Sequence, residues 1–128
     1  MYMKKTPAQQ LSQLVISTDL SYNEEGKAQF HRLGKKVLKE VAAKMGLTPG
    51  SFDIRSNMGG IAVSGEVTLH GEHIYIQLSQ GSFYKMFMYR HCNGRQDYSG
   101  GRNRWMNFLE LIDMDKAVIA FKDAEQTK

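Results

Sequence analysis

Cysteine is nearly missing from this chain. One Cys in 128 residues excludes an internal disulfide and a multi-cysteine zinc cluster, and it fits a reducing compartment. Long apolar runs are missing too. No window approaches the roughly 18 apolar residues that a membrane span requires. The opening stretch from Met1 to Gln10 carries two lysines without the apolar run of a signal peptide. These absences predict a cytoplasmic protein with no membrane partner. No internal repeat or low-complexity tract is present, so residues 1–128 are expected to form a single domain, with 1–10 and 125–128 as flexible tails. Paired carboxylates, a P-loop and a GxSxG element are absent as well, so nothing in the chain proposes a reaction.

What is present is mildly basic. The formal charge is +4 and the pI about 9.2, which favours acidic partners without the concentration of charge expected of a dedicated duplex binder. The clearest element is a helix over Glu24–Met45. Phe30, Leu33, Val37, Val41 and Met45 recur at spacings of three and four, Asn23 is the N-cap, and Gly46 and Pro49 end it. Its lysines, Lys27, Lys35, Lys36, Lys39 and Lys44, read as a solvated face. Leu11–Thr18 reads as a short strand or docked extended segment, and Phe52–Asn57 as a strand.

Ile61, Val63, Gly65, Val67 and Leu69 alternate with polar residues, which predicts a strand with one buried face. A Gly71-Glu72 turn of II′ type would return it through Ile74–Ser79, pairing Leu69 with Ile74 and Val67 with Ile76. Phe83–His91 is a further strand, with Met86 and Met88 on one face and Phe83, Phe87 and Tyr89 on the other. Asn103–Ile112 is ambiguous between helix and strand. Asp113 then caps a short terminal helix. The fold class is therefore α+β: an antiparallel sheet of about five to six strands, with one long helix after the first strand and a shorter C-terminal helix.

Three clusters carry candidate chemistry. His70 and His73 flank the hairpin turn, but no third metal ligand stands at a familiar spacing, so they read as turn histidines. Cys92 and His91 are neighbours in a strand and point to opposite faces, so they cannot pair as nucleophile and base. Cys92 reads instead as a small core residue. The third cluster is the stretch Arg90–Trp105, which holds four of the six arginines, the one Trp and three glycines. Arginine offers a planar fork suited to phosphate. Gly100-Gly101 beside Arg102-Asn103-Arg104 offers backbone N–H groups in an anion nest. Phe83, Tyr89, Tyr98 and Trp105 supply stacking surface, Asn93 and Asn103 supply donor and acceptor together, and Arg55 adds a phosphate contact.

The strand from Phe83 to Tyr89, followed by Asn93-Gly94-Arg95-Gln96-Asp97-Tyr98 and Gly100-Gly101, resembles phage-encoded small α+β proteins of the first Thoeris anti-defence family. The likeness runs over roughly Phe52–Trp105 and the element order. Proteins of that family are sponges: they hold cyclic ADP-ribose isomers made by bacterial TIR-domain enzymes without cleaving them. Some also hold cyclic oligonucleotides of the CBASS system at a separate site in a higher oligomer. The resemblance implies that Phe83 stacks on the adenine and that Asn93 bonds the base or its ribose. It implies that Arg55 grips the pyrophosphate with an arginine of the loop, Arg95, Arg102 or Arg104. Arg32 would contribute if its helix end faces the site. It also implies a homo-oligomer, a dimer or a hexamer, with no catalytic residue, no metal and no cofactor. Two other readings are an RNA- or single-stranded-DNA-binding accessory or inhibitor protein, and a small cyclic-nucleotide phosphodiesterase using His91 or His73.

Overall fold

The computed structural model describes residues 5–81, 85–97 and 99–127. Within them the order is α1 (Pro7–Ser17), α2 (Glu24–Met45), β1 (Asp53–Asn57), β2 (Glu66–His70), β3 (Ile74–Ser79), β4 (Met86–His91), β5 (Arg104–Asn107), a 3₁₀ segment (Phe108–Ile112) and α3 (Met114–Gln126). The class is α+β, as the sequence suggests. All five strands run antiparallel in the order β1-β2-β3-β4-β5, a simple meander. The helices cover one face of the sheet. No helix among the described residues is long and apolar enough to cross a membrane.

The first correction is α1, which is helix and not strand, so the long helix follows another helix. The β-branched pair Val15-Ile16 suggests extension, but the helical spacing of buried Ala8, Leu11 and Val15 wins. Local chemistry supports it. Thr6 Oγ1 accepts from the Gln9 N–H at 3.2 Å while Gln9 Oε1 accepts from the Thr6 N–H at 2.9 Å. This is a capping box with Pro7 just inside the helix. Order thus begins inside the stretch expected to be a tail, and α3 continues to Gln126.

α2 forms as its pattern predicts. Asn23 Oδ1 accepts from the Gly26 N–H at 2.9 Å, and Gly46 closes the helix at φ 74°. Its buried stripe includes Phe30, Leu33, Val37, Leu38 and Val41. Gly34 lies against Val67 so closely that a Cβ there would be 3.0 Å from it, which brings the helix axis down onto β2.

The second correction concerns β2. Ile61 and Val63 are not in the strand; they lie 67% and 51% exposed in a strap, Met58–Gly65. Its carbonyls are drawn to α2 and the turn before it. Lys27 Nζ donates to the Gly60 oxygen, and the Tyr22 N–H to that of Ile61, each at 2.7 Å. Gly65, at φ 70°, is where the chain re-enters the sheet; a Cβ there would collide with the Asn57 carbonyl.

The third correction is the hairpin register. Leu69 pairs with Ile76 and Val67 with Leu78. The turn residues are Glu72-His73, closed by the Gly71 N–H on the Ile74 carbonyl at 2.8 Å. Neither turn residue has positive φ, so this is not a II′ turn. A slip of two residues leaves every side chain on its expected face. Asn103–Ile112 resolves into β5 and the 3₁₀ segment. Asp113 caps α3 as expected, accepting from the Lys116 N–H at 3.4 Å.

Candidate functional site

Strand alternation sorts the sheet into two faces. Toward the helices point Val67, Leu69, Ile76, Leu78, Phe87, Tyr89 and Met106, all buried. Among the described residues no helix covers the other face. Register places Arg55 beside Thr68, Thr68 beside Gln77, Gln77 beside Met88, and Met88 beside Trp105 across it. Tyr75 and Arg90 are partners on the same face. A shallow cleft of about 330 Å³ lies there, lined in part by Gln77, Met86, Met88, Asn103 and Trp105.

The arginine-rich loop folds back over one end of this open face. Gly94 and Asp97 pair around a turn at Arg95-Gln96, their N–H and C=O groups bonding reciprocally at 3.1 Å. The Asn93 N–H donates to the Ser99 carbonyl at 2.9 Å. His70 on β2 holds the turn down through Nε2 and the Gly94 carbonyl, 2.7 Å apart. Burial depresses the His70 pKa, so the ring stays neutral with Nε2–H as donor. Two glycines let the loop close. A Cβ at Gly100, φ 101°, would strike the Asn93 side chain, and one at Gly101 would sit 2.6 Å from the His91 carbonyl.

The predicted arginines separate sharply. Arg95 is a strut: it donates to the Gly50 carbonyl at 2.7 Å and to Asp53 at 3.0 Å, tying the loop tip to β1. Arg104 points to the helix face, where it bonds Asp123 at 2.9 Å and the Thr127 carbonyl at 3.0 Å. Arg32 is exposed on α2, on the far side of the sheet. Neither joins the loop site. Arg55 lies on the open face with a loose contact to Asp53 at 3.4 Å and a side chain 59% exposed. Arg102 is exposed and makes no hydrogen bond or ion pair among the described residues.

Arg90 is a further residue of this face. Nη1 donates to Asn103 Oδ1 at 2.9 Å and Nη2 to the Gly101 carbonyl. It therefore grips the chain on both sides of Arg102. The sequence signal for it was the two-residue step from Met86 and Met88. Asn93 is exposed beside Gly100, and Trp105 is 48% exposed opposite Met88. Tyr89 is no stacking surface: it is buried against Phe121 at 5.2 Å between ring centroids. Phe83 and Tyr98 lie outside the described residues. Gly81 and Lys85, which bracket Phe83 in the chain, stand at the opposite end of β4 from Asn93.

The acid–base groups are already committed. Cys92 is fully buried, and burial pushes its thiol up to about 11. His91 is buried on the helix side with Nδ1 2.9 Å from the Glu125 carbonyl. It stacks on His73, whose Nδ1 is 3.2 Å from the Cys92 carbonyl. Among the described residues no three His, Cys, Asp or Glu side chains gather as a metal site. No family model, curated protein or solved structure matches the chain.

Proposed function

We propose that this protein sequesters, without cleaving it, a cyclic nucleotide immune signal, a cyclic ADP-ribose isomer or a related cyclic oligonucleotide. It would thereby blunt bacterial anti-phage defence in the host cytoplasm. One observation carries the reading. Arg90, Arg95 and Arg104 are spent on the fold, which among the described residues leaves Arg102 as the uncommitted guanidinium of the loop that also carries exposed Asn93. A pyrophosphate asks for such a fork, and a base or ribose for such an amide. Sequestration requires affinity and no general base, which suits a face whose neighbouring thiol and imidazoles are buried or bonded.

The reading includes a homo-oligomer, and the length of β4 supports it. β4 spans six residues, so at ~3.3 Å per residue its ends are roughly 17 Å apart. Gly81 and Lys85 stand at one end and Asn93 with Arg102 at the other. Two copies in antiparallel contact through their open faces would bring the Gly81 end of one over the arginine loop of the other and enclose a ligand that a single shallow face leaves in water.

The test is mass spectrometry of the small molecule released on heating protein that has been incubated with TIR-enzyme product. Intact cyclic ligand supports sequestration; hydrolysed product, or none, overturns it. Mixing Phe83→Ala with Arg102→Gln protein restores retention if the two residues serve one site from different copies. It restores nothing if both come from the same copy. A second reading has one observation behind it. Exposed Trp105 on an open sheet face suits stacking of single-stranded RNA or DNA. Affinity for a strand falls steeply with salt, whereas that of a two-phosphate ligand falls little.

A further inference from the structure

α2 carries a second basic surface, on the opposite side of the sheet from the arginine loop. Arg32, Lys35, Lys36 and Lys39 are all exposed. At ~100° per residue they fall within roughly 100° of arc, two turns of one helical stripe. No acidic residue stands between Arg32 and Lys39. None of the four forms an ion pair or side-chain hydrogen bond among the described residues, whereas Lys44 on the same helix pairs with Asp115 at 2.8 Å. Their charge equals the chain's whole excess of +4. Glu40 borders the stripe, and Glu24 and Glu25 lie in the first turn, more than a turn away.

We infer that this stripe is a docking surface for the phosphate backbone of a nucleic acid, bound without regard to sequence. The chemistry selects that occupant over two others. An anionic membrane holds a basic helix most firmly when an apolar face inserts beside the charges, and the apolar face of α2 is buried in the core at Phe30, Leu33, Val37 and Val41. A protein partner would need desolvated apolar anchors. Between the cations, by contrast, the helix offers only buried Leu33, Gly34, Val37 and Leu38. A phosphate backbone needs neither; counterion release from clustered cations suffices. From Arg32 to Lys39 the helix rises roughly 10 Å, which matches about six backbone charges of a duplex.

The experiment is fluorescence anisotropy of a labelled 25-base-pair duplex of arbitrary sequence, titrated with the full chain at several salt concentrations. Wild type is expected to bind with log affinity falling against log salt at a slope of about −3 to −4, near −0.9 per phosphate neutralised. The variant R32Q/K35Q/K36Q/K39Q is expected to lose at least tenfold in affinity and most of that slope, with an unchanged circular dichroism spectrum. Lys44→Gln, whose charge is already paired, is expected to keep both. A misfolded quadruple variant is replaced by the pairs R32Q/K36Q and K35Q/K39Q, each expected to halve the slope. Absence of duplex binding at low salt overturns the inference. So does full binding by the variants, or stripe-dependent binding to phosphatidylserine vesicles without binding to the duplex.

Discussion

At the end of β4 where the chain turns back through Gly94–Asp97, polar donors are dense. At the other end, where Gly81 meets the Met58–Gly65 strap, space is ample. Clefts of about 510 and 710 Å³ flank the strap, their walls including exposed Tyr22, Ile61 and Val63. Ligand pockets of ~300–1,000 Å³ are typical for small molecules. Among the described residues these two larger clefts lie at one end of the strand and the arginine loop at the other.

The strongest way to break this contrast is at Gly101. Gly101→Val puts a side chain into the His91 carbonyl, so the loop cannot close, and ligand retention is expected to vanish while the helical circular dichroism persists. Retention by that variant would remove the loop from the site. Next is the thiol. With Cys92 raised from 9.0 to about 11, its thiolate fraction near pH 8 falls about a hundredfold below that of a free cysteine. Iodoacetamide labelling is expected to be correspondingly slow until the protein unfolds. Fast labelling of folded protein would restore the nucleophile reading.

A more selective test compares two arginines that are close in the chain but differ in role, Arg102 and Arg104. Arg102→Gln is expected to weaken ligand about 10- to 100-fold, the loss of a charge-assisted hydrogen bond worth ~1.5–3 kcal/mol, with no change in Tm. Arg104→Gln is expected to do the reverse, lowering Tm slightly and leaving affinity intact; isothermal calorimetry with thermal melts reads both.

The smallest effect is acid sensitivity at both ends of the sheet. His31 joins α2 to the strap, with Nε2 donating to the Ser64 carbonyl at 2.8 Å and Nδ1 2.7 Å from Ser56 Oγ. His70 pins the arginine loop. Burial lowers both pKa values from 6.5, with Lys27 and Lys35 adding to the effect at His31 and Arg55 at His70. The unfolded chain then binds protons that the folded one refuses. Stability is therefore flat above pH 6.5 and falls as pH drops below it. Melts from pH 8 to 5 should show this, and His31→Gln should flatten the slope.

Much of the architecture was legible because it rests on local periodicity. The stripe of Phe30, Leu33, Val37 and Val41 declares α2, and the alternation from Val67 to Leu78 survives even a wrong register, since a two-residue slip conserves faces. Val15-Ile16 misled because β-branching competes with a helical pattern only three residues deep. The strap was hidden because its shape depends on Lys27 and Tyr22, far away in sequence. The arginines were hidden for the same reason. Whether a guanidinium is free depends on partners 42 or 45 positions away for Arg95 and 19 for Arg104, which no local spacing reveals.

The Ser12 hydroxyl lies 2.7 Å from the Phe108 carbonyl, where α1 docks on the 3₁₀ segment. Ninety-six positions separate the two. On the ribosome α1 meets α2 at once, but the 3₁₀ segment that completes its cover emerges only after all five strands. The meander from β1 to β5 closes through neighbouring strands and can form as it emerges, but the docking of the first helix is completed only when the 3₁₀ segment follows β5. A nascent chain stalled before Phe108 carries a first helix with one side uncovered, a natural handle for chaperones and proteases.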